Sequence, residues 1–215
     1  MMIKNVFASN AWYIILLFVA IGDLVVPFLL APFSGKYNHL TMVMSVLGNI
    51  NRPLHSLYSS WLVIAGIGFI LGGIKLFSVF SSTSKPLAWW LLVILFLYAI
   101  GACILSGLFP VGDSKDLTTL SAKIHGVGSV LGFMVLTMCP FVISLLSFRE
   151  KELSCGILSL VFFVGAIFFF VLFVMADKEQ YAKSIISYEG LWQRLCLLCM
   201  YAPIIIVSFK RLFLM

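Results

Sequence analysis

The chain has 215 residues, of which 62% are hydrophobic and only 10% are charged, and its mean hydropathy is +1.14. Soluble domains carry about 25% charged residues, so this composition argues against an ordinary soluble domain and indicates a membrane protein. The net charge of +6 comes from basic residues scattered singly near the ends of apolar segments. We therefore expect contact with lipid headgroups and no nucleic-acid partner.

Six apolar segments of about 20 or more residues follow one another along the chain, and each is long enough to cross a bilayer as a helix. We number them spans one to six: Ala11–Phe33, Ser56–Phe80, Leu87–Phe109, Ile124–Phe148, Leu153–Met175 and Gly190–Phe213. The predicted fold is an all-α, polytopic transmembrane bundle of six helices. It forms a single membrane domain over residues 1–215.

An even number of spans places both termini on one side of the membrane. Seven basic residues fall on each side, so the positive-inside rule does not decide the orientation. The loops on the side of the termini are short and basic, which favours cytoplasmic termini. The expected location is a prokaryotic cell membrane, with membrane lipids as partners. The sequence carries no signal for an oligomeric state.

Asp23 lies near the middle of span one, four residues before Pro27. A carboxyl group at that depth is costly and normally faces a partner or a watery cavity. Proline has no N–H, so the Asp23 carbonyl also loses its usual helical partner. We expect Asp23 to face the bundle interior and to pair with Arg194 or His125. The alternatives are a kinked helix with a neutral, bonded carboxyl group, or a ligand, ion or proton site.

Loops one, three and five are predicted to open on the face of the bundle opposite the termini, which we call the polar mouth. Polar side chains that converge at the end of an apolar bundle indicate a binding site. Together with Asp23, the candidate ligand-binding residues are Tyr37, Asn38, His39, Ser45, Asp113, His125, Glu189, Gln193 and Arg194.

The first loop is predicted to contain a short interfacial helix. Its apolar residues Leu40, Val43, Met44 and Leu47 follow helical spacing. Asn38 is a suitable N-cap, and Gly48 is a plausible C-terminal stop. Such a helix lies in the headgroup layer or covers the polar mouth.

In span four, His125, Gly128 and Gly132 share one helical face. The two glycines form a pair of small residues that lets another helix approach closely. His125 is therefore expected in a tight helix interface. It is either a structural histidine bonded to a neighbouring backbone, or a metal ligand or general acid/base.

Several motifs resemble a family of bacterial and archaeal membrane proteins called domain of unknown function 998. The similar stretches are Gly22-Asp23, Ala31-Pro32-Phe33-Ser34, the segment from Gly35 to Gly48, Phe109-Pro110 with Asp113, His125-Gly126-Val127-Gly128, and Gly132-Phe133. The resemblance implies six helices with polar loops on one face, and it implies no settled activity.

Two classes of function fit the sequence best. The first is a non-enzymatic protein that binds a lipid or small amphiphile at the polar mouth. The second is a membrane hydrolase acting on a lipid, with Ser45, Asp113 and His125 as candidate catalytic residues. In that hydrolase His39, Asp113 and His125 would hold zinc. A small transporter is a third, weaker alternative, based on Asp23 and Pro27.

Overall fold

The computed structural model describes residues 9–110 and 118–214, and every regular element in these ranges is helical. The principal helices are α1 (Ala11–Leu30), α2 (His55–Tyr98), α3 (Leu120–Leu136), α4 (Cys139–Arg149), α5 (Leu153–Ala176) and α6 (Glu189–Phe213). A π-helical stretch, Ala99–Leu105, and a final turn, Ser106–Leu108, continue α2. Short 3-10 helices lie at Ala31–Phe33, Met44–Gly48, Glu179–Tyr181 and Ile185–Ser187. The predicted all-α class is confirmed.

Five helical stretches in the described part of the chain are long and apolar enough to cross a membrane. They are Ala11–Phe33, His55–Leu108, Leu120–Arg149, Leu153–Ala176 and Glu189–Phe213. Their length and composition are those of an integral membrane protein. Helix length and composition alone do not confirm the predicted count of six spans, because spans two and three both lie within the 54-residue stretch.

The long stretch is interrupted at Ser84, whose φ of −160° and ψ of 103° are extended rather than helical. Pro86 lies two residues later, and it has no N–H to donate to the carbonyl four residues earlier while its ring clashes with that carbonyl, so a regular α-helix cannot continue through this point. Two hydrogen bonds join the end of α4 to the residues at this break. Arg149 donates one of 2.6 Å to the Ser84 hydroxyl, and the Thr83 hydroxyl donates one of 2.8 Å to the Glu150 carboxylate. The sequence therefore divides α2 into two helical halves at this point.

Loop one, residues 34–54, does not form the predicted interfacial α-helix. It contains a turn in which the Asn38 side chain accepts a 2.8 Å hydrogen bond from the Leu40 N–H, followed by the short 3-10 helix Met44–Gly48. The apolar residues of loop one do follow helical spacing. Hydrogen bonds to α6, however, compete with the backbone hydrogen bonds that an α-helix in this loop would form. The carbonyls of His39 and Met42 accept from Arg194 instead of from residues one turn later.

The close approach predicted for the glycine face of α3 is confirmed, and its partner is the π-helical stretch after α2. A Cβ atom on Gly101 would lie 2.4 Å from the Gly128 carbonyl oxygen, and one on Gly132 would lie 2.8 Å from the Ala102 nitrogen. Only glycine permits backbones to meet at this distance. His125 shares this face and is buried, so it lies inside the bundle and not against lipid.

Candidate functional site

A cavity of about 280 Å³ lies beneath loop one and between α1, α2, α3, α5 and α6. Its lining is mostly apolar with a small number of polar side chains, which is the usual composition of small-molecule sites. The polar lining residues are Asp23, Ser45, Tyr58, Tyr98, Ser106, His125, Ser129, Glu189 and Gln193. The apolar wall includes Leu62, Val130, Phe133, Phe170, Phe173, Val174 and Leu197.

The structure brings five of the predicted site residues to this cavity: Asp23, Ser45, His125, Glu189 and Gln193. Four others, Tyr37, Asn38, His39 and Arg194, do not line it. They belong instead to loop one and to the hydrogen bonds that join this loop to the start of α6. Asp113 lies outside the described residues.

Asp23 is 2% exposed and accepts hydrogen bonds from three aromatic side chains. Tyr201 donates to Oδ2 at 2.7 Å, Tyr98 donates to the same oxygen at 3.4 Å, and Trp61 donates to Oδ1 at 3.2 Å. Tyr98 and Tyr201 also bond each other through their hydroxyls. The carboxyl group thus joins α1, both halves of α2 and α6 at one end of the cavity.

The predicted pairing of Asp23 with Arg194 or His125 is wrong. Arg194 turns towards loop one, where its guanidinium donates to the carbonyls of His39 at 2.8 Å, Met42 at 3.2 Å and Gly190 at 2.7 Å, and to the Tyr37 hydroxyl. A guanidinium has five donors in a rigid fork, so clustered backbone carbonyls satisfy it better than one distant carboxylate.

Loop one is held against α6 at three further points. The Met44 N–H donates to the Gln193 side chain at 2.7 Å, and the Leu191 N–H donates to the Leu40 carbonyl at 3.0 Å. A Cβ atom on Gly190 would lie 2.3 Å from the Met42 carbonyl oxygen, so glycine is needed for this approach. These contacts fix the part of loop one that covers the cavity.

This packing shifts the pKa values of two side chains in loop one. Burial raises the pKa of Tyr37, and the neighbouring Arg194 guanidinium opposes that shift. Burial lowers the pKa of His39, and the positive charge of Arg194 lowers it further. The His39 ring also stacks on Phe28, with 4.4 Å between ring centroids. Both side chains therefore serve the packing of loop one.

His125 is 6% exposed, and its Nδ1 lies 3.0 Å from the carbonyl oxygen of Phe109. This contact matches the structural alternative, a histidine bonded to a neighbouring backbone. The same ring lines the cavity beside Ser106 and Ser129, whose hydroxyls are 2.8 Å apart. His125 is thus positioned by its backbone partner while its ring borders the cavity.

The described residues contain no group of three His, Cys, Asp or Glu side chains arranged to hold a metal ion. His39 of loop one stacks on Phe28 of α1, and His125 is bonded to the Phe109 carbonyl. Asp113 is outside the described ranges. The zinc site considered from the sequence therefore gains no support from the side chains that are described.

The aromatic partners of Asp23 were not among the residues predicted for the site. Tyr98 and Tyr201 lie in the middle of spans three and six, and Trp61 lies within span two. Tyrosine and tryptophan normally concentrate at the membrane interfaces, so a tyrosine at mid-span is itself a signal for a buried polar partner. That signal was present, and it points to the one carboxyl group at similar depth.

The described fold and the cavity define a helical integral membrane protein with a mostly apolar cavity, lined by a few polar side chains, beneath loop one. Residues 8–210 match the model of a family described as "Protein of unknown function (DUF998)", and the chain belongs to this family. This match confirms the family resemblance found in the sequence motifs. No curated protein and no solved structure matches the chain.

Proposed function

We propose that this protein binds a lipid or small amphiphile in the cavity beneath loop one. The observation that carries the proposal is the mixed lining of the cavity. A small number of hydroxyl, carboxyl, amide and imidazole groups line it together with many valine, leucine and phenylalanine side chains. A molecule with one polar and one apolar end matches such a wall, because each part then loses little of its solvation on binding.

The binding function is favoured over the hydrolase alternative. A hydrolase needs a nucleophile or an activated water whose base is oriented by a third group. Among the described hydrogen bonds, the Ser106 and Ser129 hydroxyls bond each other and neither bonds the His125 ring, so these residues do not pair a nucleophile with a base. Asp23, the buried carboxyl group of the cavity, is occupied by Trp61 and two tyrosines. These contacts describe a wall that orients a ligand.

The same proposal includes six membrane crossings. A continuous helix of 54 residues would be about 80 Å long, whereas the hydrocarbon core is about 30 Å thick. The break at Ser84 lies near the middle of this stretch. A reversal there is supported by contacts between the two halves, since a Cβ atom on Gly73 would lie 3.4 Å from Leu95 and one on Gly107 would lie 2.6 Å from the Ser59 carbonyl oxygen. Six crossings place loop one and the start of α6 on the face opposite the termini. We assign the termini to the cytoplasmic side of a prokaryotic cell membrane.

Filling the cavity tests the binding function. Ser129→Phe places a large side chain on the cavity wall, while Val127→Phe places the same side chain on the outer face of α3, where Val127 is 55% exposed. Native mass spectrometry of protein purified in mild detergent should show a co-purifying amphiphile in the wild type and in Val127→Phe, and much less in Ser129→Phe. Equal retention by both variants, or no amphiphile in the wild type, would contradict the proposal.

A further inference from the structure

The cavity reaches the outer, lipid-facing surface of the bundle between α3 and α5. Val130 of α3 and Val174 of α5 both line the cavity. The same two side chains are 58% and 48% exposed on the outside of the protein. A residue that borders the cavity and also faces outward marks a place where the wall is one side chain thick.

Helix α5 is held mainly on its other sides. Its buried residues are only Gly156, Ser159 and Ala166. Cys196 of α6 donates a 3.4 Å hydrogen bond to the Ala166 carbonyl, so the middle of α5 is anchored on α6. Towards α3 the aromatic contacts described are those of Phe133 with Phe170 and Phe173, at ring-centroid distances of 6.1 and 5.5 Å. These three rings border the gap between α3 and α5 on the side that is farther from the polar mouth.

The cavity is small for an amphiphile with a long hydrocarbon chain. Its volume of about 280 Å³ lies just below the range of about 300–1,000 Å³ that is usual for small-molecule pockets. That space accommodates the polar end of an amphiphile and a few carbon atoms. A long hydrocarbon chain must leave the cavity, and the gap between α3 and α5 leads into the apolar phase that such a chain prefers.

The charges around the cavity disfavour an anionic head group. Among the described lining residues the acidic side chains are Asp23 and Glu189, and none is lysine or arginine. Arg194, the nearest arginine along α6, does not line the cavity, and its terminal nitrogens donate to the carbonyls of His39, Met42 and Gly190 and to the Tyr37 hydroxyl. Acidic side chains attract hydrogen-bond donors and disfavour a phosphate, which no lysine or arginine of this wall would neutralise.

We propose that an amphiphile with a non-anionic, hydrogen-bond-donating head group enters sideways from the bilayer between α3 and α5. Its hydroxyl or ammonium head lies beside Asp23, His125 and Glu189, and its single hydrocarbon chain passes between Val130 and Val174 into the lipid. This inference rests on the proposed binding function, and it adds a route of access and a class of head group.

The test uses three radiolabelled probes with the same dodecyl-length chain: monolauroylglycerol, dodecylammonium and dodecyl phosphate. Equilibrium binding is measured on the full chain in phosphatidylcholine nanodiscs, with empty nanodiscs subtracted. Val130→Trp and Val174→Trp each narrow the gap from one side. Their matched controls are Val127→Trp and Val171→Trp, which change exposed valines on the same helices that do not line the cavity.

We expect the wild type to bind monolauroylglycerol or dodecylammonium at least about tenfold more tightly than dodecyl phosphate, and each gap variant to weaken that binding by about tenfold or more. The controls should stay within about twofold of the wild type. Unchanged binding in both gap variants would overturn the sideways route while leaving the binding function intact. Equal or tighter binding of dodecyl phosphate would overturn the head-group class. Failure of the wild type to bind all three probes would overturn the binding function itself.

Discussion

At the scale of single residues, Asp23 is the polar centre of the bundle. Its carboxyl oxygens can accept about four hydrogen bonds, and side chains from α2 and α6 supply three of them. A buried hydroxyl that loses its acceptor is left poorly satisfied, which costs free energy. The network therefore acts as a unit, and its members are expected to depend on one another.

A double-mutant cycle measures that dependence. Asp23→Asn and Tyr201→Phe should each lower stability by about 1–3 kcal/mol, because each leaves a buried polar partner poorly satisfied. The double variant should lose less than the sum of the two, as direct partners do. Thermal unfolding in detergent provides the measurement. The control pair, Asp23→Asn with Arg194→Gln, should be additive since these side chains do not bond; additivity of Asp23→Asn with Tyr201→Phe would refute the contact.

At the scale of helices, glycine determines how closely the backbones approach. Gly101 and Gly128 bring the π-helical stretch and α3 together so that each backbone carbonyl lies where the other glycine would carry a Cβ atom. A side chain can move aside, but a helical backbone cannot do so without shifting the whole element. This packing positions His125 and Ser129 against the cavity, so the site depends on it.

Two glycines in the same apolar stretch give a matched comparison. Gly101→Ala should destabilise the protein by about 1–3 kcal/mol, because its new Cβ would lie 2.4 Å from the Gly128 carbonyl oxygen. Gly73→Ala should be neutral or stabilising by up to about 1 kcal/mol, since its Cβ would meet Leu95 at an ordinary 3.4 Å and alanine favours helix. Thermal unfolding in one detergent ranks the two variants, and a Gly101→Ala protein as stable as the wild type would contradict the close approach.

At the scale of the whole molecule, two layers of polar contacts lie at opposite ends of the bundle. Loop one and the start of α6 close the cavity at one end. At the other end Lys210 and Arg211 of α6 form ion pairs with Glu152 and Glu150 next to the break in α2. An apolar middle between two polar ends is the pattern of a protein that crosses a bilayer. The division of α2 at Ser84 decides how many crossings lie between these ends.

Cysteine labelling in intact cells tests this topology. In a cysteine-free background, Lys36→Cys and Lys183→Cys should react with an impermeant reagent from one side, and Lys85→Cys and Lys151→Cys only from the other. All four lysines are exposed, so accessibility within the protein does not limit the reaction. Loop three adds Lys115, which lies outside the described residues and should label with Lys36. Labelling of Lys85 from the same side as Lys36 would exclude a reversal at Ser84.

The sequence by itself determined the class of the protein and the depth of its polar groups. The length of an apolar segment and the spacing of residues within it can both be read from the linear order of the residues. The apolar helices, the burial of Asp23 and the glycine face of α3 could therefore be predicted from the sequence. The family match agrees with motifs already visible in the residues. The break at Ser84 follows from a proline that the sequence also shows.

Only the tertiary structure decided which polar groups meet. Asp23 is acidic and Arg194 is basic, yet Asp23 bonds Trp61, Tyr98 and Tyr201, while Arg194 bonds loop one. Periodicity gives a residue's face and depth, but a hydrogen bond also depends on helix rotation, on tilt and on the path of the connecting loop. The same reason explains why the amphipathic pattern in loop one did not become an α-helix, since Arg194 of α6 donates to the Met42 carbonyl.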